Sequence, residues 1–350
     1  MRTDRRGFIA MLVGGLVAPI GTLAEVKGVP RPGSSQVRLP VDSDFPSLDE
    51  ASGWLNSQPL TAAELRGKVV LIDFWTYTCI NCIRTLPYLR AWDEEYRDDG
   101  LTIVGVHAPE FPFERDAGNV AEAIEENGLR YPVVQDNDFG TWNAFGNQYW
   151  PAKYLIGADG EVRYVHFGEG SYEETEAAIR SLLEEAGDSA RLGGRVGPQH
   201  AETADPGLRT PETYLGSERA MGFREPPVDG VRDYSAPPAE ELGLNELAYD
   251  GRWRVAPLSA TAIQDASLSL RFKARRVFLV LGSEAGPASV YVQLDGRPVA
   301  PAEAGEDVEN GVATVGEQRL YRLVDLDAVG EHTLTLDFDA GISGYAFTFG

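Results

Sequence analysis

The chain has 350 residues and a formal net charge of −23, with 54 acidic and 31 basic side chains. This acidity argues against nucleic-acid binding, which requires a basic surface, and a hydrophobic content of 43% excludes a disordered chain. Because a single core rarely grows beyond about 250–300 residues, the length predicts two domains.

The N-terminus has the pattern of an export signal. Arg5 and Arg6 form a twin-arginine pair, and the apolar stretch at residues 9–24 ends in the small residue Ala24. We therefore predict a signal peptide at residues 1–24, of the type that exports folded proteins by the twin-arginine (Tat) route. An ordinary Sec signal or an uncleaved anchor is the alternative. The mature protein is expected in the periplasm or outside the cell, and tethered to the membrane if the signal is uncleaved.

Strand and helix patterns alternate after this signal. Residues 25–50 are rich in Pro, Gly and Ser and predict an extended lead-in, and residues 51–187 carry the alternating pattern of an α/β domain. The predicted elements are a buried strand at 68–74, a helix at 83–96, a second buried strand at 101–106, a helix at 120–126, a hairpin of strands at 153–156 and 162–167, and a helix at 172–186.

Cys79 and Cys82, the two cysteines of the chain, lie as Cys-x-x-Cys at the predicted turn from strand to helix. A disulfide that closes so small a loop constrains little chain entropy, so a structural role is disfavoured. A thiol at a helix N-terminus meets unpaired N–H groups and the positive end of the helix dipole, which favour the thiolate. We therefore predict an exposed, attacking Cys79 and a buried Cys82 that resolves the mixed disulfide.

Asp73 is a carboxylate inside the apolar run that precedes the cysteines. Burial of a charge is strongly unfavourable, so desolvation should raise the pKa of this carboxyl. A carboxyl of raised pKa could exchange a proton with Cys82 during resolution. The alternative is a structural aspartate that is hydrogen-bonded as a cap.

No metal or cofactor is predicted. Zinc requires about four ligands, and the histidines His107, His166, His200 and His332 are scattered without ligand spacing. His107 and His166 are interpreted as polar residues at strand ends.

The C-terminal part has a different pattern. Gly, Pro and Arg accumulate and periodicity fades at residues 188–238, which predicts a linker between the domains. Residues 239–350 contain several segments of period-two alternation without intervening helices, and the Asp295-Gly296 pair indicates a hairpin turn. We predict a β-sandwich or jelly roll for this second domain.

Two binding hypotheses concern this β-domain. The aromatic residues Trp253, Tyr249, Tyr291 and Tyr345 could form a platform for stacking sugars, although aromatic residues at alternating strand positions more often belong to a core. Asp295 and Asp307 could hold a calcium ion, but isolated acidic loops are weak indicators of such a site.

The run Asp73-Phe74-Trp75-x-x-x-Cys79-x-x-Cys82 resembles the active-site stretch of thioredoxins. Together with residues 105–111 and 149–154, it is similar to the TlpA/redoxin branch and closest to the extracytoplasmic region of DipZ-type proteins. The stretches 210–216 and 345–350 resemble the second domain of that family, which is described as like a carbohydrate-binding module.

The resemblance implies a thioredoxin-like fold with an inserted strand–helix segment, followed by the β-sandwich. In this architecture the proline before the hairpin strand is cis, which makes Trp150-Pro151 the edge where a substrate peptide pairs as an added strand. Trp75 is expected to contribute to the same docking region.

We therefore predict an exported thiol–disulfide oxidoreductase that acts on cysteine-containing envelope proteins, with the resemblance favouring the reducing direction. DipZ-type proteins typically carry a membrane electron-transfer domain of the CcdA type, so a separate membrane reductase of that type is the expected electron donor.

Two alternatives remain open. Thr76-x-x-Cys79 fits the pattern of thiol peroxidases, but Ile72 stands where their proline is expected. The second alternative is a glycan- or surface-binding protein with an accessory redox domain.

Overall fold

The computed structural model describes residues 43–44, 48, 52–187, 192–198, 202 and 205–350. The predicted signal peptide and most of the predicted lead-in lie outside these residues. The described residues all belong to one compact unit. Within them, no helix combines the length and the apolar character needed to cross a bilayer.

The first domain is a seven-stranded sheet flanked by helices. Its strands lie in the order β1-β7-β6-β3-β4-β5-β2, with β3, β4 and β5 parallel and the others antiparallel to their neighbours. The strands are β1 (Ser43–Asp44), β2 (Gly53–Leu55), β3 (Val69–Trp75), β4 (Leu101–His107), β5 (Val133–Gln135), β6 (Ala152–Ile156) and β7 (Glu161–Phe167). The helices are α1 (Ala62–Leu65), α2 (Ile80–Tyr96), α3 (Ala117–Glu126), α4 (Gly140–Ala144) and α5 (Tyr172–Ala186).

The central strand β3 is buried along its whole length, as its continuous apolar sequence predicts. Alternate residues of this strand enter two separate cores, because successive side chains of a strand point to opposite faces. Leu71 packs in the core that contains α2 and α5, whereas Ile72 packs in the core on the opposite face. The strand–helix alternation and the closing hairpin with α5 confirm the predicted thioredoxin-like fold with its inserted α3–β5 segment.

The second domain is built from antiparallel strands. They are β8 (Thr213–Tyr214), β9 (Gly230–Tyr234), β10 (Leu247–Val255), β11 (Ala260–Ser283), β12 (Ala288–Leu294), β13 (Arg297–Pro298), β14 (Val308–Glu309), β15 (Val312–Val315), β16 (Arg319–Phe338) and β17 (Ile342–Phe349). The long β11 pairs with β16 along much of its length, and it also pairs with β10 in its first half and with β17 mainly in its second half. The two halves of the sheet share one core, in agreement with the predicted β-sandwich.

The segment predicted as a linker (188–238) contributes two strands, β8 and β9, to the second sheet. Leu215 is fully buried in the second core, and its carbonyl accepts a hydrogen bond of 2.8 Å from the hydroxyl of Tyr249. Regular structure of the second domain therefore begins by Thr213. A strand of two residues is too short to show period-two alternation, which is why the sequence pattern faded there.

Candidate redox site

Cys79 and Cys82 lie where β3 ends and α2 begins. Cys79 is the N-cap residue of α2, and its Sγ accepts a hydrogen bond of 3.2 Å from the backbone N–H of Cys82. Cys79 is half-buried, Cys82 is fully buried, and both are free thiols. Burial raises the pKa of the Cys82 thiol. The two sulfurs therefore differ in exposure, and the backbone N–H at the start of α2 is directed at the more exposed one.

Asp73 lies fully buried in β3, and neither of its carboxylate oxygens has a hydrogen-bond partner among the described residues. Burial raises the pKa of Asp73 to about 7, against the opposing effect of Lys153. The missing partners argue against the alternative of a hydrogen-bonded cap. A carboxyl that titrates near neutral pH can both accept and donate a proton there.

Lys153 is a second buried ionisable group in this region, which the sequence reasoning missed. It stands opposite Asp73 in the β3–β6 pairing, and its Nζ has no hydrogen-bond partner within the described part of the chain. Burial lowers the pKa of Lys153, and the negative charges of Asp73 and Cys82 oppose this shift. When Lys153 is protonated, its positive charge therefore stabilises a negative charge on Asp73 or on Cys82.

Glu114 is a buried carboxyl on the other side of the active-site turn. It accepts hydrogen bonds from the hydroxyl of Thr78 (2.6 Å) and from the backbone N–H groups of Glu110 (2.5 Å) and Phe111 (2.9 Å). Burial raises the pKa of Glu114 to about 7. This side chain connects the residue before Cys79 to the loop that follows β4.

Replacing Glu114 by glutamine should change how stability depends on pH. The folded protein holds the Glu114 proton up to about pH 7, whereas an unfolded chain loses it near 4.5. The folded state binds more protons in this window, so the free energy of unfolding falls as pH rises through it. Glutamine is uncharged like the protonated carboxyl, so the free energy of unfolding of the variant should not fall in this way as pH rises. Between about pH 4 and pH 8, the free energy of unfolding should shift by up to about 3 kcal/mol in favour of Glu114→Gln.

Urea unfolding of the reduced protein at several pH values measures this shift. Glu122→Gln, an exposed change on the neighbouring helix α3, is the matched control and should parallel the wild type. A Glu114→Gln curve that parallels the wild type at every pH would contradict the assigned titration.

The second domain covers one side of the active-site turn. Ile80, the residue directly after Cys79, is 1% exposed and packs in a cluster with Phe111 of the first domain. The second domain's members of this cluster are Phe278, Val280, Leu320, Tyr345 and Ala346. Polar contacts extend this interface, since the carboxylate of Glu110 accepts hydrogen bonds of 2.8 Å from Tyr214 and from Arg219. Access to Cys79 is closed on the Ile80 side.

Trp150 and Pro151 lie just before β6, and the peptide bond between them is cis, as expected. The indole N–H of Trp150 donates a hydrogen bond of 3.1 Å to the carbonyl of Ala108. The backbone N–H and C=O of Trp150 have no hydrogen-bond partner among the described residues. An extended peptide could pair with these groups.

The structure does not support Trp75 as a docking residue. Its side chain is fully buried and packs edge-on against the ring of His107, at a centroid distance of 5.2 Å. The continuous burial of β3 includes Trp75 at its last position, so the indole is core. Burial lowers the pKa of His107 to about 3, so this imidazole is neutral at physiological pH.

The proposed sugar platform of the β-domain does not form. Trp253, Tyr249 and Tyr345 are buried, and Tyr291 is the member that remains exposed, at 47%. The alternation of these aromatic residues therefore reflects core packing.

The two acidic residues considered for calcium bind protein groups instead. Asp295 contacts Nδ1 of His332 at 2.8 Å, and Asp307 forms an ion pair of 2.7 Å with Arg319. These partners already occupy the carboxylates.

Neither Glu114 nor Lys153 was signalled by local sequence spacing. Glu114 accepts a hydrogen bond from the backbone N–H of Phe111 at the start of the short 3-10 turn Pro112–Arg115, but Phe111 stands where a capping box has Ser or Thr, so only half of that motif is present. Lys153 lies two residues after Pro151, and the antiparallel pairing of β6 with β3 places it opposite Asp73. The first contact therefore lacked a recognisable motif, and the second required the strand register.

Comparison with known proteins covers both domains. Residues 40–183 match the family model described as Redoxin, and residues 210–350 match the one described as Thioredoxin like C-terminal domain. Protein DipZ of Mycobacterium tuberculosis (strain CDC 1551 / Oshkosh) is 36% identical over 316 residues, which are 87% of this chain and 42% of DipZ. The chain thus spans about two fifths of the length of DipZ.

Smaller proteins match the first domain. The thiol-disulfide oxidoreductase YkuV of Bacillus subtilis (strain 168) is 30% identical over 142 residues, which are 40% of this chain and 95% of YkuV. The solution structure of a thioredoxin-like protein in the oxidized form shares 30% identity at a TM-score of 0.38 and covers 41% of this chain and 96% of that chain.

Proposed function

Because this chain belongs to the redoxin family of thioredoxin-like thiol–disulfide oxidoreductases, we propose that it reduces disulfides in exported, cysteine-containing proteins. The observation that carries this proposal is the asymmetry of the two thiols. Cys79 is half-buried at the N-terminus of α2, and Cys82 is fully buried one turn inside. This is the arrangement that a nucleophile and its resolving thiol require.

The proposed reaction has two steps. The Cys79 thiolate attacks one sulfur of the substrate disulfide, forms a mixed disulfide and releases the other substrate sulfur as a thiolate. Cys82 then transfers its proton to Asp73 and attacks Sγ of Cys79, which releases the second substrate thiolate and forms the Cys79–Cys82 disulfide. The substrate gains two electrons and the protein loses two.

The environment of Asp73 supports its role as the proton acceptor. An ionised carboxylate with no hydrogen-bond partner is a stronger base than a solvated one, since burial raises its pKa to about 7. Before the proton transfer, while Cys82 is still protonated, the ammonium of Lys153 stabilises the negative charge of the ionised Asp73. Once the Cys79–Cys82 disulfide has formed, Asp73 holds the proton.

The substrate is proposed to bind at Trp150. Its backbone N–H and C=O have no partner among the described residues, so an extended segment around the substrate cysteine can add there as a strand. The unpaired backbone available to a substrate strand ends at the neighbouring Pro151, directly before β6.

Export and electron supply belong to the same proposal. The pattern at residues 1–24 supports export by the twin-arginine route, and the similarity to DipZ supports action outside the cytoplasm. The oxidised protein must be reduced again, and we propose a membrane thiol reductase of the CcdA type as the donor.

The equilibrium reduction potential of the Cys79–Cys82 pair tests the direction. We expect a value near that of thioredoxin, roughly −270 mV, when the full chain is equilibrated with glutathione or dithiothreitol buffers. A value near −120 mV, roughly that of a strong disulfide donor, would reverse the proposed direction.

A kinetic measurement separates the peroxidase alternative. Stopped-flow mixing of the reduced protein with hydrogen peroxide should oxidise Cys79 no faster than it oxidises free cysteine. Oxidation much faster than that of free cysteine would replace the proposed function with a thiol peroxidase.

A further inference from the structure

A pocket lies between the two domains, next to the proposed docking edge. Its volume is about 330 Å³, and Trp150 forms part of its wall. The first domain contributes Phe111 and Phe139, and the second contributes Leu258, so the walls are largely apolar. We call this cavity the interdomain pocket. Neither domain forms it alone.

The size of the interdomain pocket limits what it can hold. Ligand pockets range from about 300 to 1,000 Å³, so this one is at the lower end. It has room for one or two side chains. An extended peptide that pairs with the backbone of Trp150 would present a side chain to this pocket, because Trp150 lines it.

Two arginines line the interdomain pocket, and they differ in whether an acidic side chain pairs with them. Arg219 is neutralised by Glu110 at 2.8 Å, and its guanidinium stacks on the ring of Tyr214 at 3.6 Å. Arg115 is exposed at the first domain's wall, and its guanidinium has no ion pair among the described residues.

A second acidic residue lines the interdomain pocket besides the paired Glu110. Glu218 is exposed at the second domain's wall, and its carboxylate likewise has no ion pair in the part of the chain that the structure describes. The charged side chains of this pocket that lack an ion pair are therefore Arg115 on the first domain's wall and Glu218 on the second domain's wall.

We propose that the interdomain pocket is a specificity site for the substrate polypeptide. It receives an apolar side chain of the extended segment held at Trp150, and Arg115 binds an acidic side chain two positions along. Residues i and i+2 of a strand share a face, which brings both side chains to the same pocket. This inference rests on the proposed function and names the sequence class of the substrate: cysteine-containing segments with an apolar residue beside the cysteine and an acidic residue two positions beyond the apolar one.

Two peptide substrates test the proposal on the full chain. Each is a short peptide whose cysteine is joined in a disulfide to thionitrobenzoate, with leucine beside the cysteine and either glutamate or lysine two positions beyond the leucine. Release of thionitrobenzoate, followed by absorbance, reports attack by Cys79. The disulfide of two thionitrobenzoate molecules serves as a small substrate without a peptide.

The measured quantity is the ratio of second-order rate constants for the glutamate and lysine peptides. In the wild type we expect a ratio of roughly fivefold at low salt, which corresponds to about 1 kcal/mol, and a smaller ratio at about 1 M salt. Arg115→Gln should bring the ratio close to one. Glu218→Gln should increase it, because it removes the charge that repels the glutamate peptide.

Arg130→Gln is the matched control, since it removes an exposed arginine that does not line the interdomain pocket. It should keep the wild-type ratio. If the wild type fails to reduce even the small disulfide, the proposed function itself is wrong. If it reduces all three substrates but Arg115→Gln keeps the wild-type ratio, the proposed specificity site alone is overturned.

Discussion

Replacing Cys82 by serine should turn the protein into a trap for its substrates. Cys79 can still attack a disulfide, but the thiol that completes the second step is absent. Reaction of the reduced variant with an excess of the small thionitrobenzoate disulfide should release one thionitrobenzoate per protein, whereas the wild type releases two. In cells, adducts between Cys79 and exported proteins should accumulate and disappear on treatment with reductant.

The assignment of attacker and resolver depends on comparing the two serine variants. Cys79→Ser leaves the fully buried, high-pKa thiol of Cys82 as the sole sulfur and should form few adducts. Equal numbers of adducts from Cys79→Ser and Cys82→Ser would contradict the assigned roles.

Replacing Asp73 by asparagine should slow the second step far more than the first. The carboxylate accepts the Cys82 proton, and general-base catalysis typically contributes on the order of 10²–10⁴-fold. At pH 8 we therefore expect at least a roughly 100-fold slower second release of thionitrobenzoate. The first release, which reports attack by Cys79, should change much less.

The pH profile distinguishes a base from a structural carboxyl. With the Asp73 pKa at about 7, its ionised fraction rises from about one tenth at pH 6 to about nine tenths at pH 8. The wild-type second step should rise about tenfold over this range and then level off. In Asp73→Asn it should keep rising with pH, because it then follows the raised pKa of Cys82 alone.

Asp136→Asn provides the matched control for loss of a buried aspartate. The Asp136 carboxylate accepts hydrogen bonds from the backbone N–H groups of Thr141 (3.0 Å) and Trp142 (2.7 Å) at the start of α4. This substitution should lower stability and leave the ratio of the two release rates unchanged. The same ratio in Asp73→Asn as in the wild type would exclude Asp73 as the base.

Local patterns predicted the redox turn well. An apolar run followed by Cys-x-x-Cys and helical spacing predicted β3, α2 and a buried Cys82, because strand burial and helix capping depend on near neighbours. Cys79 lies at the predicted turn but is half-buried rather than exposed. The raised pKa expected for Asp73 followed from the same local reasoning, since a carboxyl inside β3 has nowhere to be solvated.

Features that depend on strand register or on the other domain were not predictable. Lys153 faces Asp73 only because β6 pairs with β3 in one particular register. Trp75 was interpreted as a docking residue, although its burial is decided by β4 and the helices packed over it. The contact of Ile80 with Phe278 and Tyr345 joins distant parts of the chain, and single-sequence patterns carry no signal for such a pair.

The cluster around Ile80 also determines when the redox centre can mature during synthesis. The second-domain residues that cover Ile80 are synthesised about 200 or more positions later in the chain. Contacts of such long range form slowly. Until then Ile80 and Phe111 are an exposed apolar surface, which exposes the nascent chain to aggregation. A complete Cys79 site is therefore a late product of translation. If the chain crossed the membrane after folding, the contacts between the two domains would not have to form again on the other side.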